Sequence, residues 1–173
     1  MVEALATFLI SLRWVHVLAG ITWIGILYYF NFVQVATFKE LEANVRTALV
    51  PTLVKRALFW FRWAALITVL AGWTYFFTVW IAGGFFPLTG RWWSVSILAG
   101  GILGTMMLLN VWGIIWVYQK RVIASTEGIL QGQEAPAEMA TWGKRALIAS
   151  RFNTAMSLPM LFFMVSASHF LLI

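Results

Sequence analysis

Four long apolar stretches dominate the pattern of hydrophobic and polar positions along the chain. They run over roughly residues 5–32, 57–82, 92–118 and 146–173. Each exceeds the roughly 20 residues that an α-helix needs to cross about 30 Å of hydrocarbon, and none alternates as barrel strands do. The pattern therefore predicts an all-α integral membrane protein, a four-helix bundle that forms one membrane domain over residues 1–173.

The links between these stretches differ in pattern and in charge. Residues 33–54 repeat apolar side chains at helical spacing among polar ones, which predicts an amphipathic helix lying on the membrane. The two long links carry basic residues at Lys39, Arg46, Lys55, Arg56, Lys120, Arg121, Lys144 and Arg145. Because basic residues collect on the cytoplasmic side, we expect both long links in the cytoplasm and both termini outside. The protein would be a multi-pass protein of the bacterial inner membrane.

Composition agrees with a protein whose main solvent is lipid. Hydrophobic residues make up 62% of the 173 residues and charged residues only 10%. Ordinary globular domains contain about 45–50% and about 25% respectively. So little charge excludes a soluble enzyme, a disordered chain and a free nucleic-acid-binding domain. The net charge of +6 comes from helix ends and indicates no nucleic-acid partner.

Cysteine is absent from the chain. This excludes disulfides, thiolate catalysis, zinc held by cysteine, iron–sulfur clusters and a covalently attached c-type haem. Any cofactor chemistry must therefore use other side chains.

Two histidines are the best candidates for that chemistry. His16 and His169 are the only histidines, and both lie in apolar stretches, where polar side chains are costly and usually functional. Two neutral imidazoles on different helices are a ligand set for six-coordinate haem iron. We therefore expect one haem b, held by His16 and His169. Arg13, one turn outward of His16, and Arg91, at the outer mouth of the third stretch, are placed to pair with its propionates.

Each of these residues also has a plainer interpretation. Arg13 would extend to the lipid headgroups, and His169 would form an interfacial hydrogen bond. Taken together, the histidines and Arg13 favour haem.

Small residues recur four positions apart within two of the stretches, at Ala64, Thr68 and Gly72 and at Ser96, Gly100 and Gly104. Such spacing lets helix backbones approach closely. It would equally leave room for a flat cofactor beside a helix, and both interpretations stay open.

A second polar group is predicted toward the cytoplasmic end of the bundle. Its members are Asn110, Arg151, Asn153 and Thr154. Arg151 and His169 are about five helical turns apart, so we expect them to share a face and Arg151 to point inward. An arginine with two amides and a hydroxyl suits a flat anionic substrate. A polar network that ties helices together is the plainer interpretation.

Several blocks resemble a known family, the membrane-bound, cytochrome c-linked urate oxidases. Residues 13–25 (RWVHVLAGITWIG) resemble the first span of that family, and residues 110–112 (NVW) resemble a later one. Residues 149–154, 158–164 and 168–169 resemble the end of its membrane domain. The resemblance implies electron transfer from urate or another small substrate to a cytochrome c. The family continues into a cytochrome c domain, which we expect this chain to lack. Either a separate cytochrome then accepts the electrons, or this branch of the family does something else.

Three functions remain open from the sequence. The first is a urate oxidase-like oxidoreductase that binds its substrate near the polar group and passes electrons through haem b to a cytochrome c or another membrane redox subunit. The second is a non-catalytic haem b subunit that relays electrons within a respiratory complex. The third is a cofactor-free structural membrane protein. The sequence also leaves homo- and hetero-oligomers open.

Overall fold

The computed structural model describes residues 2–84 and 92–169, with side chains described as far as Ala167. Within these ranges the protein is helical. The α-helices are α1 (Val2–Tyr28), α2 (Val35–Glu40), α3 (Ala43–Leu49), α4 (Lys55–Ala82), α5 (Trp92–Asn110), α6 (Trp116–Leu130) and α7 (Met139–His169). Single π-helical segments at Tyr29–Gln34, Val50–Val54 and Val111–Ile115 join α1 to α2, α3 to α4 and α5 to α6.

Four continuous helices of the described residues are long and apolar enough to cross a membrane. They span Val2–Glu40, Ala43–Ala82, Trp92–Leu130 and Met139–Ala167. The predicted all-helical architecture with four membrane-length helices is thus confirmed. Insertion in the bacterial inner membrane and the external position of both termini stay predictions.

The segment 33–54, predicted as one surface helix, is instead divided between two of the long helices. The first long helix ends at Glu40, and the backbone is extended at Leu41 and Glu42, with ψ values of 144° and 150°. α3 then begins the second long helix and continues into α4. The apolar periodicity of the segment therefore belongs to the ends of two bundle helices.

The link between α6 and α7 is shorter than the apolar pattern predicted. α6 continues to Leu130, and its end is fixed by hydrogen bonds of 3.0 Å from Gly132 N to the Ile129 carbonyl and from Gln133 N to the Gly128 carbonyl. Gly132 has a φ of 87°, a left-handed conformation that glycine adopts without a Cβ clash.

The helices pack most closely as α1 with α4 and α5 with α7. The largest side chains with at most 1% exposure include Trp23, Leu27, Phe61, Phe76, Met107 and Val111. Phe76 of α4 stacks on Trp93 of α5 with ring centroids 5.9 Å apart. Between the same helices, Trp73 Nε1 donates to Thr105 Oγ1 at 2.9 Å. The interior is therefore filled largely by aromatic and small aliphatic side chains.

Polar side chains connect α1 and its π segment to α7. The hydroxyls of Tyr28 and Ser157 are 2.9 Å apart. Asn31 Nδ2 donates to Ser150 Oγ at 2.8 Å. These contacts fix the register of the first and last long helices toward one end of the bundle.

The outer surface of the bundle is apolar. In the most apolar part of the first long helix, none of the residues is buried inside the protein. In the corresponding part of the second long helix, 33% of the residues are buried. Trp14, Ile21 and Phe32 are each more than 60% exposed. Soluble monomers rarely expose so much contiguous apolar surface, whereas contact with lipid would cover it.

Candidate functional site

His16 is held by a hydrogen bond across the α1–α4 interface. Its Nδ1 lies 2.8 Å from the Thr68 carbonyl oxygen. A carbonyl oxygen only accepts, so the imidazole carries its proton on Nδ1 and donates it. Nε2 is then left with a free lone pair, the form of histidine that binds a metal ion.

Gly72 makes room for the His16 ring. A Cβ at position 72 would lie 2.8 Å from His16 Nδ1 and 2.9 Å from its Cε1, closer than ordinary carbon contacts allow. The small residue at this point of α4 therefore serves an imidazole from the neighbouring helix.

Two glycines of α5 differ in their surroundings. A Cβ at Gly100 would lie 3.0 Å from the Cε methyl of Met164, which indicates close helix packing. Gly104 is buried, yet no heavy atom lies within 4 Å of its Cβ position. Open space therefore exists beside α5 at this level.

Tyr75 holds Arg13 beside His16, and no sequence pattern had singled out Tyr75. Arg13 Nη2 donates to the Tyr75 hydroxyl, and the guanidinium carbon lies 5.1 Å from the Tyr75 ring centroid. Tyr75 stands one turn from Gly72 on α4, as Arg13 stands one turn from His16 on α1. The four residues form one group, which we call the His16 group.

Two predicted haem contacts lie outside the described residues. Arg91 falls in the undescribed segment 85–91, and for His169 only the backbone at the end of α7 is described. The pairing of His16 with His169 and the role of Arg91 therefore stay predictions.

The amides of the second polar group satisfy one another. Asn110 Nδ2 donates to the Ala149 carbonyl at 2.9 Å and to Asn153 Oδ1 at 2.7 Å. Asn153, which is 0% exposed, donates to the Met107 carbonyl at 3.0 Å. This network ties α5 to α7, as the plainer interpretation of the sequence proposed.

Arg151 does not join this network. Its side chain is exposed, whereas the buried side of α7 runs through Asn153, Ser157 and Met160. The expectation that Arg151 points inward is wrong because sharing a face with His169 fixes only a relative direction. Thr154 donates to the Ser150 carbonyl of its own helix at 3.1 Å.

A groove beside the network is open to the outside. It has a volume of about 650 Å³ and is lined by apolar side chains together with Asn110 and Tyr118. Arg145 also lines the groove and donates to the Tyr118 hydroxyl at 2.9 Å. Of the four predicted substrate residues, only Asn110 lines this groove.

Arg62 is a further cation within a membrane-length helix, and no sequence pattern singled it out. Its guanidinium carbon lies 3.7 Å from the Trp116 ring centroid and 5.8 Å from that of Trp112. Contact with an aromatic face stabilises a desolvated cation. The four-residue spacing of Trp112 and Trp116 could have predicted this contact, because it places both rings on one helix face, where they can receive a cation.

Among the described residues, no three side chains of His, Cys, Asp or Glu come together as a metal site. A haem does not need such a group. The porphyrin supplies the equatorial nitrogens, and the protein supplies only axial ligands.

A comparison with protein families identifies a relationship for the second half of the chain. The family model described as "Urate oxidase N-terminal" matches residues 88–173, the part of the chain that contains α5, α6 and α7. No curated protein and no solved structure matches the chain. The resemblance predicted from the sequence blocks is therefore confirmed for its second half: over residues 88–173 this chain is similar to the N-terminal domain of urate oxidases.

Proposed function

We propose that the chain is a haem b-binding membrane oxidoreductase of the urate oxidase type, which passes electrons from a small cytoplasmic-side substrate to a cytochrome c. The observation that carries the proposal is the 2.8 Å hydrogen bond from His16 Nδ1 to the Thr68 carbonyl. Metal-ligating histidines donate their second ring N–H in this way, which fixes the tautomer and raises the basicity of the ligating nitrogen. The match to the urate oxidase N-terminal family supports the proposed oxidoreductase activity.

The surroundings of His16 fit a flat cofactor. Gly72 removes the atom that would displace the imidazole. Trp23 lies about two turns from His16 on the same face of α1, and its Nε1 is buried without a hydrogen-bond partner. A polar group bound nearby would satisfy that donor, whose isolation is otherwise costly. A bound haem b would supply an iron that takes up and releases one electron.

Arg13 has the position and charge to hold a carboxylate at the edge of this site. Its hydrogen bond to Tyr75 keeps the guanidinium one turn from His16. A haem propionate carries the complementary charge. In the proposal Arg91 provides a second contact of the same kind.

The register of α1 against α7 supports His169 as the residue that would hold a haem iron together with His16. Tyr28 and Ser157 are joined by a hydrogen bond, and the two helices run in opposite directions. Equal numbers of residues lead from Tyr28 to His16 and from Ser157 to His169. The two backbones therefore reach a similar depth in the bundle.

The absorbance spectrum of the purified protein tests the cofactor. We expect a Soret band and, after reduction with dithionite, the sharp visible bands of low-spin haem b. A protein purified under haem-replete conditions with no Soret band would contradict the proposal and favour a cofactor-free membrane protein.

Anaerobic addition of urate tests the oxidoreductase function separately. We expect urate to reduce the haem, and added oxidised cytochrome c to reoxidise it. Haem that dithionite reduces and urate does not would instead favour the electron-relay subunit.

A further inference from the structure

A partly open cavity of about 200 Å³ lies between the first π segment, α4, the third π segment, α6 and α7. Its polar lining consists of Asn31, Gln34, Gln119 and Ser150. It is distinct from the His16 group and from the groove beside Asn110. We call it the π cavity.

All three π segments of the described residues contribute to this one cavity. The first supplies Asn31 and Gln34, the second Val54 and the third Ile115. A π turn holds one residue more than an α turn, is rare, and occurs frequently at functional sites because it redirects side chains. Convergence on one cavity indicates that its shape is a built feature of the fold.

Two acceptor atoms in the lining have no partner. Asn31 Nδ2 donates to the Leu27 carbonyl at 2.9 Å and to Ser150 Oγ. Because the carbonyl only accepts, the amide orientation of Asn31 is fixed and its Oδ1 is the free atom. Asn31 Oδ1 and Gln34 Oε1 are both buried without a hydrogen-bond partner. Both side chains line the same cavity.

We propose that the π cavity binds a small, uncharged, planar molecule that donates two N–H groups to Asn31 and Gln34. None of the described lining residues carries a charge, so an anion would lose its hydration without a counter-charge. The volume lies below the roughly 300 Å³ at which pockets for drug-sized ligands begin and suits a single or fused small ring. Urate is a monoanion at neutral pH, so the π cavity is a binding site separate from the proposed substrate site and does not rest on the proposed function.

Equilibrium dialysis of the full chain in lipid nanodiscs tests the site. The probes are uracil, hydantoin and xanthine, which present ring N–H donors, with 1,3-dimethyluracil as a donor-free control and orotate as an anionic one. We expect binding of the ring donors and at least tenfold weaker binding of both controls. Equal binding of 1,3-dimethyluracil, tighter binding of orotate, or no binding of any donor at a few millimolar would overturn the proposal.

A pair of variants locates the binding. Gln34→Leu removes one free acceptor and should weaken binding of the donor probes about tenfold, the loss of one hydrogen bond to a buried group. Gln131→Leu, on the exposed end of α6, should leave it unchanged. Unaltered binding by Gln34→Leu would place the ligand elsewhere.

Haem content, read from the same samples, separates the two proposals. If the N–H donor probes bind to a protein that contains no haem, only the proposed oxidoreductase function is rejected. If the protein contains haem normally but binds none of the N–H donor probes, only the proposed ligand of the π cavity is rejected.

Discussion

His16 is the residue through which the proposed cofactor is most directly tested. Replacing it with alanine removes the nitrogen that the Thr68 carbonyl orients. We expect His16→Ala to lose the low-spin haem spectrum, and imidazole added to the sample to restore it in part. The same result is expected for His169→Ala. A Soret band unchanged in both variants would show that neither histidine binds iron.

Gly72 tests whether the packing around His16 matters independently of ligation. In Gly72→Ala the new Cβ would meet the imidazole at 2.8 Å, so the ring must shift and its bond to Thr68 lengthen. We expect reduced haem content and a loss of about 1–3 kcal/mol in the free energy of unfolding, as for an overpacked core.

Gly25→Ala is the matched control for Gly72→Ala. Gly25 lies in α1 with no heavy atom within 4 Å of its Cβ position. An alanine there should keep haem content and raise helix stability slightly. Thermal unfolding in detergent compares the two variants. Equal effects of both substitutions would contradict the role of Gly72 in making room for the His16 ring.

Arg151 provides a residue-scale test of the revised site. It is exposed, and no hydrogen bond or ion pair holds it among the described residues. We expect Arg151→Lys to leave expression, haem spectrum and urate-driven reduction unchanged. Loss of reduction with normal haem would restore Arg151 as a substrate contact.

At the scale of elements, the buried amides of Asn110 and Asn153 hold α5 against α7. Asn153→Leu would leave the Met107 carbonyl and the Asn110 amide short of partners. We expect a loss of about 1–3 kcal/mol in the free energy of unfolding for each buried group left unpaired. Thr154→Val, which removes only a bond within α7, should cost much less. Similar unfolding temperatures for the two variants would show that the network is not structural.

The four long helices could be predicted because apolar length is a local property of the sequence. The division of 33–54 between two helices could not, since the same periodicity fits a surface helix and the end of a bundle helix. The π segments also left no local signal, because one extra residue per turn becomes visible only through packing.

Individual site residues could be predicted where the chemical type of the side chain alone made the residue unusual for its position. His16 stood out as a rare ionisable group in an apolar stretch, and the structure gives it a partner in Thr68. Arg151 stood out for the same reason, but its direction depends on which side of α7 meets α5. Asn31 and Gln34 were missed because single amides at the end of an apolar stretch are ordinary until their oxygens are found unpartnered.

At the scale of the whole molecule, the direction of electron transfer depends on the orientation of the bundle. The chain has no cysteine, so each introduced cysteine is a unique label. Glu42 lies at the turn between the first two long helices, Glu134 between α6 and α7, and Gly83 at the opposite end of α4. The basic residues near Glu42 and Glu134 predict that this end is cytoplasmic.

A membrane-impermeant maleimide applied to intact cells distinguishes the two orientations. We expect it to label Gly83→Cys at once, and Glu42→Cys and Glu134→Cys only after the membrane is permeabilised. In that orientation the π cavity opens near the cytoplasmic end and the His16 group lies toward the outside, where a cytochrome c would collect the electrons. The opposite labelling pattern would reverse the path and exclude an external cytochrome c as the acceptor, even if haem and substrate both bind as proposed.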